Sequence, residues 1–594
     1  MKSAADPAGL FLMRRLLRLL RWRLWLAEKL RLTEWQTTLL WAALAGFLGA
    51  LASLLFSALS EGVHEVLTHS RAGVVESIRQ LPWWGALAVP AAGGLCGGLV
   101  LQFGRKLSRG QSSTDYMEAI VIGTGRMPVR SSLLKSAAAL FSIGSGGSIG
   151  REGPMVQLAA VTASFIGRAR RFTPPQQRLL VACGAAAGIA SAYNAPIAGS
   201  FFVAEISLGT IAMESLGPLV VSAVVAALTI RTLTNAAQLY YVPPFQMNSA
   251  WEMGPYVVLG LLSGVIAPWF LRTLRGSERL FVRTRLPLSL RLGLGGLVVG
   301  AIAVWVPEVC GNGYSVVLSI LNGAIAWKLL VLFFACKWLA TASSFGSGAP
   351  GGVFTPSLFM GASSGYLFGT LVHEIWPAGA GEPRAFALVG MGAFLSAATR
   401  APVMAVIMLF EMTLSYDIIL PLLLCSVLAY YTARGIEEQS LYSESLKRKE
   451  AEQPAGALLP AGRVADLMKT DPPVLPAGAS FAGIAQKFLA VRVNNLYVVD
   501  EGAHFLGVVS LHDIKPYLGE PEVAELVLAR DILHEDFPRL APDQSLSEAL
   551  GSFLGIAAER LPVVGADGRL VGSMAKGDLL LSLVERRKPP AAAA

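Results

Sequence analysis

Long apolar segments separated by short polar breaks fill the first three quarters of the chain, and only the last quarter has a mixed pattern. The apolar runs at residues 37–59 and, with its flanks, 256–271 are long enough to span a bilayer, which takes about 20 residues. A soluble core could bury one such run but not a succession of them. The pattern predicts a polytopic α-helical membrane domain over residues 35–445, followed by a smaller soluble α/β module.

Composition agrees with this picture, because 54% of the residues are hydrophobic and only 15% are charged. The net charge of +9 does not indicate a nucleic-acid partner, since much of it lies in residues 13–32. There Leu and Trp occupy one face of a predicted helix and Arg the other, which is typical of a helix on an anionic membrane surface. We therefore expect residues 1–34 to form a basic cytoplasmic segment, and not a cleaved signal peptide.

The five cysteines all lie in apolar surroundings and form no C-x-x-C pair. This favours a packing role over metal or disulfide chemistry.

An internal repeat relates two halves of the apolar region, at about residues 35–230 and 250–445. In "NAPIAGSFFVAE" (194–205) and "RAPVMAVIMLFE" (400–411), Ala-Pro is followed by a Glu nine residues after the Pro. Paired breaks of this kind are typical of transporters with repeated topology. The charged residues that flank these helices are expected to be helix-packing ion pairs or dipole partners: Glu205, Arg400 and Glu411.

Each half also carries a glycine-rich break, "GSGGSIGREGP" (144–154) and "GSGAPGGVFTP" (346–356). Broken backbone at membrane depth must line a cavity or be buried in protein. A helix that begins in such a cavity offers free N–H groups and the positive end of its dipole, which together bind anions. The two loops therefore predict two helix starts directed at one ion.

Glu152, at the end of the first loop, is predicted to be an anion tethered to this anion site. It can occupy the site when no ion is present, and leave or take a proton when one arrives; the alternative is an ion pair with Arg151 or another helix. Arg151 is expected to support the local geometry. A dinucleotide-binding glycine loop is disfavoured, because no strand precedes residues 144–154 and no acidic ribose partner follows.

A second repeat, in the mixed region, predicts two α/β copies that pack on each other, each with a strand, a helix, two strands and a helix. Three pairs of positions correspond: Asp466 and Asp531, Gly507 and Gly572, Asp513 and Asp578. The expected ranges are 463–520 and 527–587, within a module 463–587 that lies between a linker (446–462) and a disordered tail (588–594).

Three segments, "GREGP" (150–154), "GAPGGVFTP" (348–356) and residues 421–442, resemble the anion-site segments of the CLC chloride channel/transporter family. Residues 193–221 are similar to its bacterial ClcB-type branch, and the C-terminal copies resemble CBS domains. The resemblance covers almost the whole chain. It implies a homodimer in a bacterial inner membrane, with both termini cytoplasmic, one anion pathway per subunit and two inverted halves of tilted and broken helices.

The resemblance assigns the gate to Glu152 and leaves anion selectivity open, because Gln111 stands where a selectivity serine is expected. The anion-binding positions that it implies are Gly150, Arg151, Gly153, Val353, Phe354, Tyr442 and Gln111. Within this set, Val353 and Phe354 match positions whose backbone amides bind the anion, and Tyr442 matches a tyrosine whose hydroxyl contacts it.

Proton coupling is left open by one departure from the family. Proton-coupled members often carry Glu-Glu where this chain has Glu205-Ile206, and Ile206 cannot carry a proton. The expectation is chloride transport, passive or weakly coupled to protons, with no enzymatic activity and no required cofactor. The alternatives are a proton/chloride antiporter whose protons use another route, such as Glu205 or water, and more distantly a fluoride exporter or a membrane-anchored nucleotide sensor.

The C-terminal copies predict one adenine-nucleotide site. Some CBS pairs hold ribose and phosphate with a Ser/Thr-x-x-Asp pattern, which Ser510 and Asp513 fit. Asp578 of the second copy is a further candidate nucleotide residue, although Ala575 replaces the hydroxyl before it. The alternative is a purely structural dimerisation module.

Overall fold

The computed structural model divides into two compact units, residues 1–446 and 447–594, each of which is described by itself below. Gln111 and most of the predicted N-terminal segment, linker and C-terminal tail lie outside the described residues. The described ranges are 33–107, 115–121, 123–209, 212–234, 250–377, 381–437, 439–442, 462–491, 493–515, 517, 526–554 and 558–579.

The described part of the first unit is α-helical. Six of its helices are long and apolar enough to cross a membrane, which confirms the predicted polytopic architecture. The helices are α1 (Glu34–Thr68), α2 (Val74–Gln80), α3 (Trp83–Leu107), α4 (Tyr116–Val121), α5 (Val129–Gly144), α6 (Glu152–Ala169), α7 (Pro174–Tyr193), α8 (Pro196–Phe202), α9 (Met213–Thr234), α10 (Met253–Arg283), α11 (Leu288–Ala303), α12 (Tyr314–Leu321), α13 (Trp327–Ser347), α14 (Phe354–Ile375), α15 (Pro383–Thr399), α16 (Pro402–Thr413) and α17 (Ile419–Ile436).

Local sequence sets several of these boundaries. At the start of α1, the Thr33 N–H donates to the Gln36 side chain at 2.9 Å, a capping arrangement that satisfies a free backbone donor. The residues between α7 and α8 and between α15 and α16 reverse the chain through left-handed backbone at Asn194 and Arg400. A proline then opens the next helix, where its missing N–H has no cost.

The order of elements repeats between the two halves. In the first, α5 leads through a glycine loop into α6, α7 and α8; in the second, α13 leads through a glycine loop into α14, α15 and α16. Helix α6 packs along α7, and α14 packs along α15. The copies differ at one point, because α8 continues into a π-helical turn at Val203–Leu208 whereas α16 stays α-helical.

The second unit contains two small α/β halves. In the first, β1 (Val474–Pro476) is parallel to β2 (Asn495–Val499), which is antiparallel to β3 (Phe505–Ser510) and is preceded by α18 (Phe481–Val491). In the second, α19 (Leu546–Leu554) precedes antiparallel β4 (Arg560–Val564) and β5 (Leu570–Ala575). The prediction that a strand opens the second copy is wrong for the described residues. At that position the structure has only an isolated bridge, between Leu540 and Val563 of β4.

The two halves exchange their first segments. Val464, from the first copy, is buried in the core of the second beside Phe553 and Leu561. Ala529, from the second copy, is buried in the core of the first beside Phe488. Each half therefore completes the apolar core of the other, which is why the copies pack together.

The repeated Asp and Gly residues serve these exchanged segments. Asp466 and Asp531 each accept a hydrogen bond from the N–H three residues earlier, at 2.8 and 2.9 Å, and so fix the turn that begins each segment. A Cβ on Gly507 or Gly572 would lie 2.6 Å from a backbone oxygen of the segment that crosses it. Glycine is required at both positions, because any side chain would push that segment away.

Candidate anion site

The two glycine loops of the first unit pair with each other. The Gly150 N–H donates to the Gly352 oxygen at 2.6 Å, and the Gly352 N–H donates to the Gly150 oxygen at 2.9 Å. Helices α6 and α14 begin two residues beyond this pair, at Glu152 and Phe354. The structure thus brings together the two helix starts that the sequence predicts to share one ion.

Both helix starts face a cavity of about 580 Å³. The first N–H groups of a helix have no acceptor within it, so this wall of the cavity carries partial positive charge. The ring of Phe202 lies edge-on to Tyr442, with 5.5 Å between centroids. The predicted anion-site residues on the wall are Glu152, Gly153, Val353, Phe354 and Tyr442.

Glu152 is buried at the start of α6, with 4% of its surface exposed. Its Oε1 accepts a hydrogen bond from the Thr355 hydroxyl. Its Oε2 has no hydrogen-bond partner among the residues that the structure describes, and a Cβ on Gly150 would overlap that oxygen. Gly150 is therefore glycine because the carboxylate occupies the space that a side chain would fill.

Arg151 is directed elsewhere. Its Nη1 lies 3.7 Å from the carboxylate of Glu61, and its side chain is 40% exposed. Within the described residues, the ion pair of Arg151 is with Glu61 and not with Glu152. This disfavours the predicted alternative in which Glu152 only balances its neighbour.

A buried lysine that the sequence analysis did not single out supports the first glycine loop. Lys337 is fully buried, and its Nζ donates to the oxygens of Val309 (2.8 Å) and Gly311 (2.7 Å). The Gly311 N–H in turn donates to the Gly146 oxygen at 3.1 Å. Its position in the middle of the apolar helix α13, whose other lysine, Lys328, lies in the first turn, is the signal that could have identified it.

The acidic ends of the two Ala-Pro segments cap each other's helices. Glu205 accepts hydrogen bonds from the N–H groups that start α16, including Met404 at 2.8 Å. Glu411 accepts from those that start α8, including Ala198 at 2.7 Å. Arg400 donates to backbone oxygens at the end of α17. All three are helix-terminus partners, as the sequence analysis expects.

Glu205 and Ile206, the pair that stands where a Glu-Glu pair is expected for proton coupling, lie outside the described wall of the cavity. Glu205 is held at the start of α16, and the half-buried Ile206 packs against the helical core. Neither is among the described residues that line the cavity. Within the described part of the chain, the Glu205 carboxylate therefore does not reach the cavity, and Ile206 has no titratable group.

The two aspartates among the predicted nucleotide residues, Asp513 and Asp578, each face a basic residue of the other copy. Asp513 accepts from the Ser510 N–H at 2.8 Å, and its other oxygen lies 3.1 Å from His534 Nε2. Asp578 lies 3.6 Å from Lys469 Nζ. The two sites thus have the same arrangement, an aspartate from one copy facing a basic side chain from the other.

Family models match both units. A voltage gated chloride channel model matches residues 92–434, and a CBS domain model matches residues 464–520 and 529–585. Among curated proteins, the chain is 49% identical to a ClcB-like chloride channel protein of Ralstonia nicotianae over 411 residues, which cover 68% of this chain and 96% of that protein. It is 42% identical to the voltage-gated ClC-type chloride channel ClcB of Salmonella typhimurium over 412 residues, 68% of this chain and 98% of that protein.

Solved structures share the fold. A slow cyanobacterial Cl⁻/H⁺ antiporter is 25% identical, with a TM-score of 0.63 over 71% of this chain and 99% of that one. A eukaryotic CLC transporter is 20% identical, with a TM-score of 0.59 over 91% of this chain and 97% of that one. A CLC-type fluoride/proton antiporter is 21% identical, with a TM-score of 0.58 over 68% of this chain and 97% of that one.

Proposed function

This chain belongs to the voltage-gated chloride channel (CLC) family, and from that premise we propose that it moves chloride across a membrane through a pathway gated by Glu152. The leading form of the proposal is passive flux, or flux weakly coupled to protons. The observation that carries it is the position of Glu152, a buried carboxylate at a helix start on the wall of the cavity.

We infer the gating role of Glu152 from the single negative charge that the helix start of α6 can stabilise. A buried ionised carboxylate is costly unless nearby dipoles and donors stabilise it. The start of α6 supplies that stabilisation, and it would stabilise chloride in the same way. The carboxylate and the ion therefore compete for one positive environment, and protonation or displacement of Glu152 opens the pathway.

The remaining anion-site residues divide by the groups they offer. The backbone N–H groups near the two helix starts are the donors, and the Tyr442 hydroxyl adds a neutral donor that does not hold the ion too tightly to release it. Arg151 contributes positive potential from the position where it pairs with Glu61. The proposed set is Gly153, Val353, Phe354 and Tyr442 on the cavity wall, Arg151, and Gly150, whose N–H pairs with Gly352 and which leaves space for the Glu152 carboxylate. Gln111 is proposed as the residue that sets anion selectivity.

Weak coupling is favoured by Ile206, which has no titratable group where proton-coupled relatives often carry a second Glu. The rival candidate is a proton/chloride antiporter, favoured by the similarity to a structure described as a slow Cl⁻/H⁺ antiporter. In that case protons must reach Glu152 by water or by side chains other than Ile206.

Flux measurements in proteoliposomes separate these candidates. Chloride efflux that drives no uphill proton uptake supports passive transport, whereas a fixed non-zero exchange ratio rejects it. Glu152→Gln removes the only titratable group of the proposed gate, so we expect chloride flux that no longer varies with pH. An unchanged pH profile in this variant would reject Glu152 as the gate.

We propose a homodimer in a bacterial inner membrane, with both termini in the cytoplasm. Both helix starts and Tyr442 line one cavity of this chain, so the proposed dimer would have one anion pathway in each subunit. Single-molecule photobleaching of labelled protein in liposomes tests the subunit number, and protease access to tagged termini in oriented vesicles tests the topology.

We also propose that the CBS pair modulates transport by binding an adenine nucleotide at Ser510 and Asp513. An aspartate faced by a basic residue suits a ribose and a phosphate, and Ser510 adds a hydroxyl that Ala575 cannot supply beside Asp578. Titration of the full-length protein with ATP should give one site per chain. Ser510→Ala and Asp513→Asn should each weaken it, whereas Ser552→Ala, which removes a hydroxyl that bonds within its own helix in the other copy, should not.

A further inference from the structure

Two hydroxyl side chains from different halves of the first unit meet at the Glu152 carboxylate. Thr355 lies in the first turn of α14, and Tyr193 is the last residue of α7. The Thr355 hydroxyl donates to Glu152 Oε1, and the hydroxyls of Tyr193 and Thr355 are 2.9 Å apart. All three residues are buried, with 4% or less of each exposed.

The direction of these hydrogen bonds follows from the number of protons available. Thr355 has one hydroxyl proton, and it is donated to the carboxylate. Tyr193 must therefore donate in its bond with Thr355. The tyrosine ring packs against Phe354, with 5.1 Å between centroids, which fixes the position of its hydroxyl.

Helix packing alone does not explain why the Thr355 hydroxyl bonds to Glu152. Two buried serines of the same helix bond to backbone oxygens four residues earlier, Ser357 to Val353 and Ser364 to Met360, both at 2.8 Å. Thr355 is in the first turn of α14, and it bonds instead to a residue 203 positions away in the chain. Its hydroxyl is thus directed at the proposed gate.

We propose that Thr355 and Tyr193 are positioning residues that hold the ionised Glu152 carboxylate in its buried position and so set how readily the pathway opens. The proposal rests on the proposed function of Glu152 as the gate. The Thr355 hydroxyl donates to the carboxylate, and the Tyr193 hydroxyl donates to Thr355 and holds it in place. Hydrogen bonds to a charged group are stronger than those to a neutral one. The bonds must break before the carboxylate can leave, and they weaken once it is protonated.

The test measures chloride efflux from proteoliposomes at acidic, neutral and alkaline pH. Thr355→Val removes the donor at nearly constant volume, and we expect about tenfold higher flux at alkaline pH, since a hydrogen bond to a charged group is worth at least that factor. At acidic pH, where Glu152 is protonated, the flux should match the wild type. Tyr193→Phe should act in the same direction and less strongly.

Three further variants make the result specific. Thr355→Ser keeps the donor and should restore the wild-type profile. Ser364→Ala removes a buried hydroxyl of the same helix that does not reach Glu152, and should leave the profile unchanged. In a Glu152→Gln background, Thr355→Val should have no further effect on flux.

A Thr355→Val profile equal to the wild type overturns the proposal, as does an equal increase in flux at all pH values or in the Glu152→Gln background. If Thr355→Val does not yield folded protein, Tyr193→Phe gives the same decision. If Glu152→Gln itself leaves the pH profile unchanged, the proposed gate has failed. If Glu152→Gln abolishes the pH dependence while the hydroxyl variants do not change it, only the present inference has failed.

Discussion

The reciprocal caps at Glu205 and Glu411 give a prediction with a built-in control. Each carboxylate accepts hydrogen bonds from two backbone N–H groups at the start of a helix of the other half. Glu205→Gln and Glu411→Gln each keep one carbonyl oxygen but replace the second acceptor by an NH₂ group and remove the charge. The two changes are equivalent in the two halves, so their effects on stability should be similar.

The magnitude follows from the groups lost at each cap. One hydrogen bond to a charged acceptor contributes about 1.5–3 kcal/mol, and the interaction of a charge with a helix dipole about 0.3–1 kcal/mol. Both carboxylates are partly exposed, so we reduce the sum and expect each variant to lose about 1–2 kcal/mol. For a large domain this corresponds to an apparent Tm lower by about 2–6 °C.

The assay combines thermal unfolding in detergent, followed by intrinsic tryptophan fluorescence, with chloride and proton fluxes in proteoliposomes. Because Glu205 lies outside the described lining of the cavity, both variants should keep the wild-type ratio of proton to chloride movement. A change in proton movement in Glu205→Gln but not in Glu411→Gln would show that Glu205 carries protons. Two variants as stable as the wild type would refute the capping argument.

The remaining predictions concern close contacts. Lys337→Met leaves two buried carbonyls without their donor and should destabilise the protein by about 2–4 kcal/mol, seen as a lower Tm; a wild-type Tm would contradict this role. Gly150→Ala places a methyl group where the gate carboxylate lies, so chloride flux should no longer fall as pH rises, whereas Gly217→Ala, with nothing within 4 Å of its Cβ, should keep the wild-type profile. Gly507→Ala should cost about 1–3 kcal/mol in the unfolding transition of the CBS pair within the full chain, and Gly551→Ala, which has open space around it, should not.

The sequence predicted the features that local chemistry determines. Glycine and proline breaks in apolar segments can lie at membrane depth only where they line a cavity or are buried, and so the loops at 144–154 and 346–356 could be assigned to one site. Glu152 stood out because a carboxylate at a helix start in such a site has few other roles. The repeated glutamates were expected to be dipole partners, and the structure places both at helix starts.

The sequence could not predict contacts between residues far apart in the chain. Thr355 and Tyr193 are unremarkable in their own helices, and only the pairing of the glycine loops brings their hydroxyls to Glu152. The exchange of first segments between the CBS copies was hidden for the same reason, since Val464 and Ala529 look like ordinary members of their own copies. The missing strand of the second copy shows that sequence similarity between repeats does not ensure equal backbone pairing.

Four helix starts in the first unit show why only one of the three carboxylates found at them is proposed to move. Helices α8 and α16 are each capped by a glutamate from the end of a helical segment in the other half, held by two backbone N–H groups. Glu152 is instead the first residue of its own helix, so the proposed gating would need only a rotation of its side chain and no displacement of a helix. Glu205 and Glu411 stay bound at the starts of α16 and α8 and offset the dipoles of those two helices. The dipoles of α6 and α14 are left to stabilise either the Glu152 carboxylate or, in the proposed open state, the anion that replaces it.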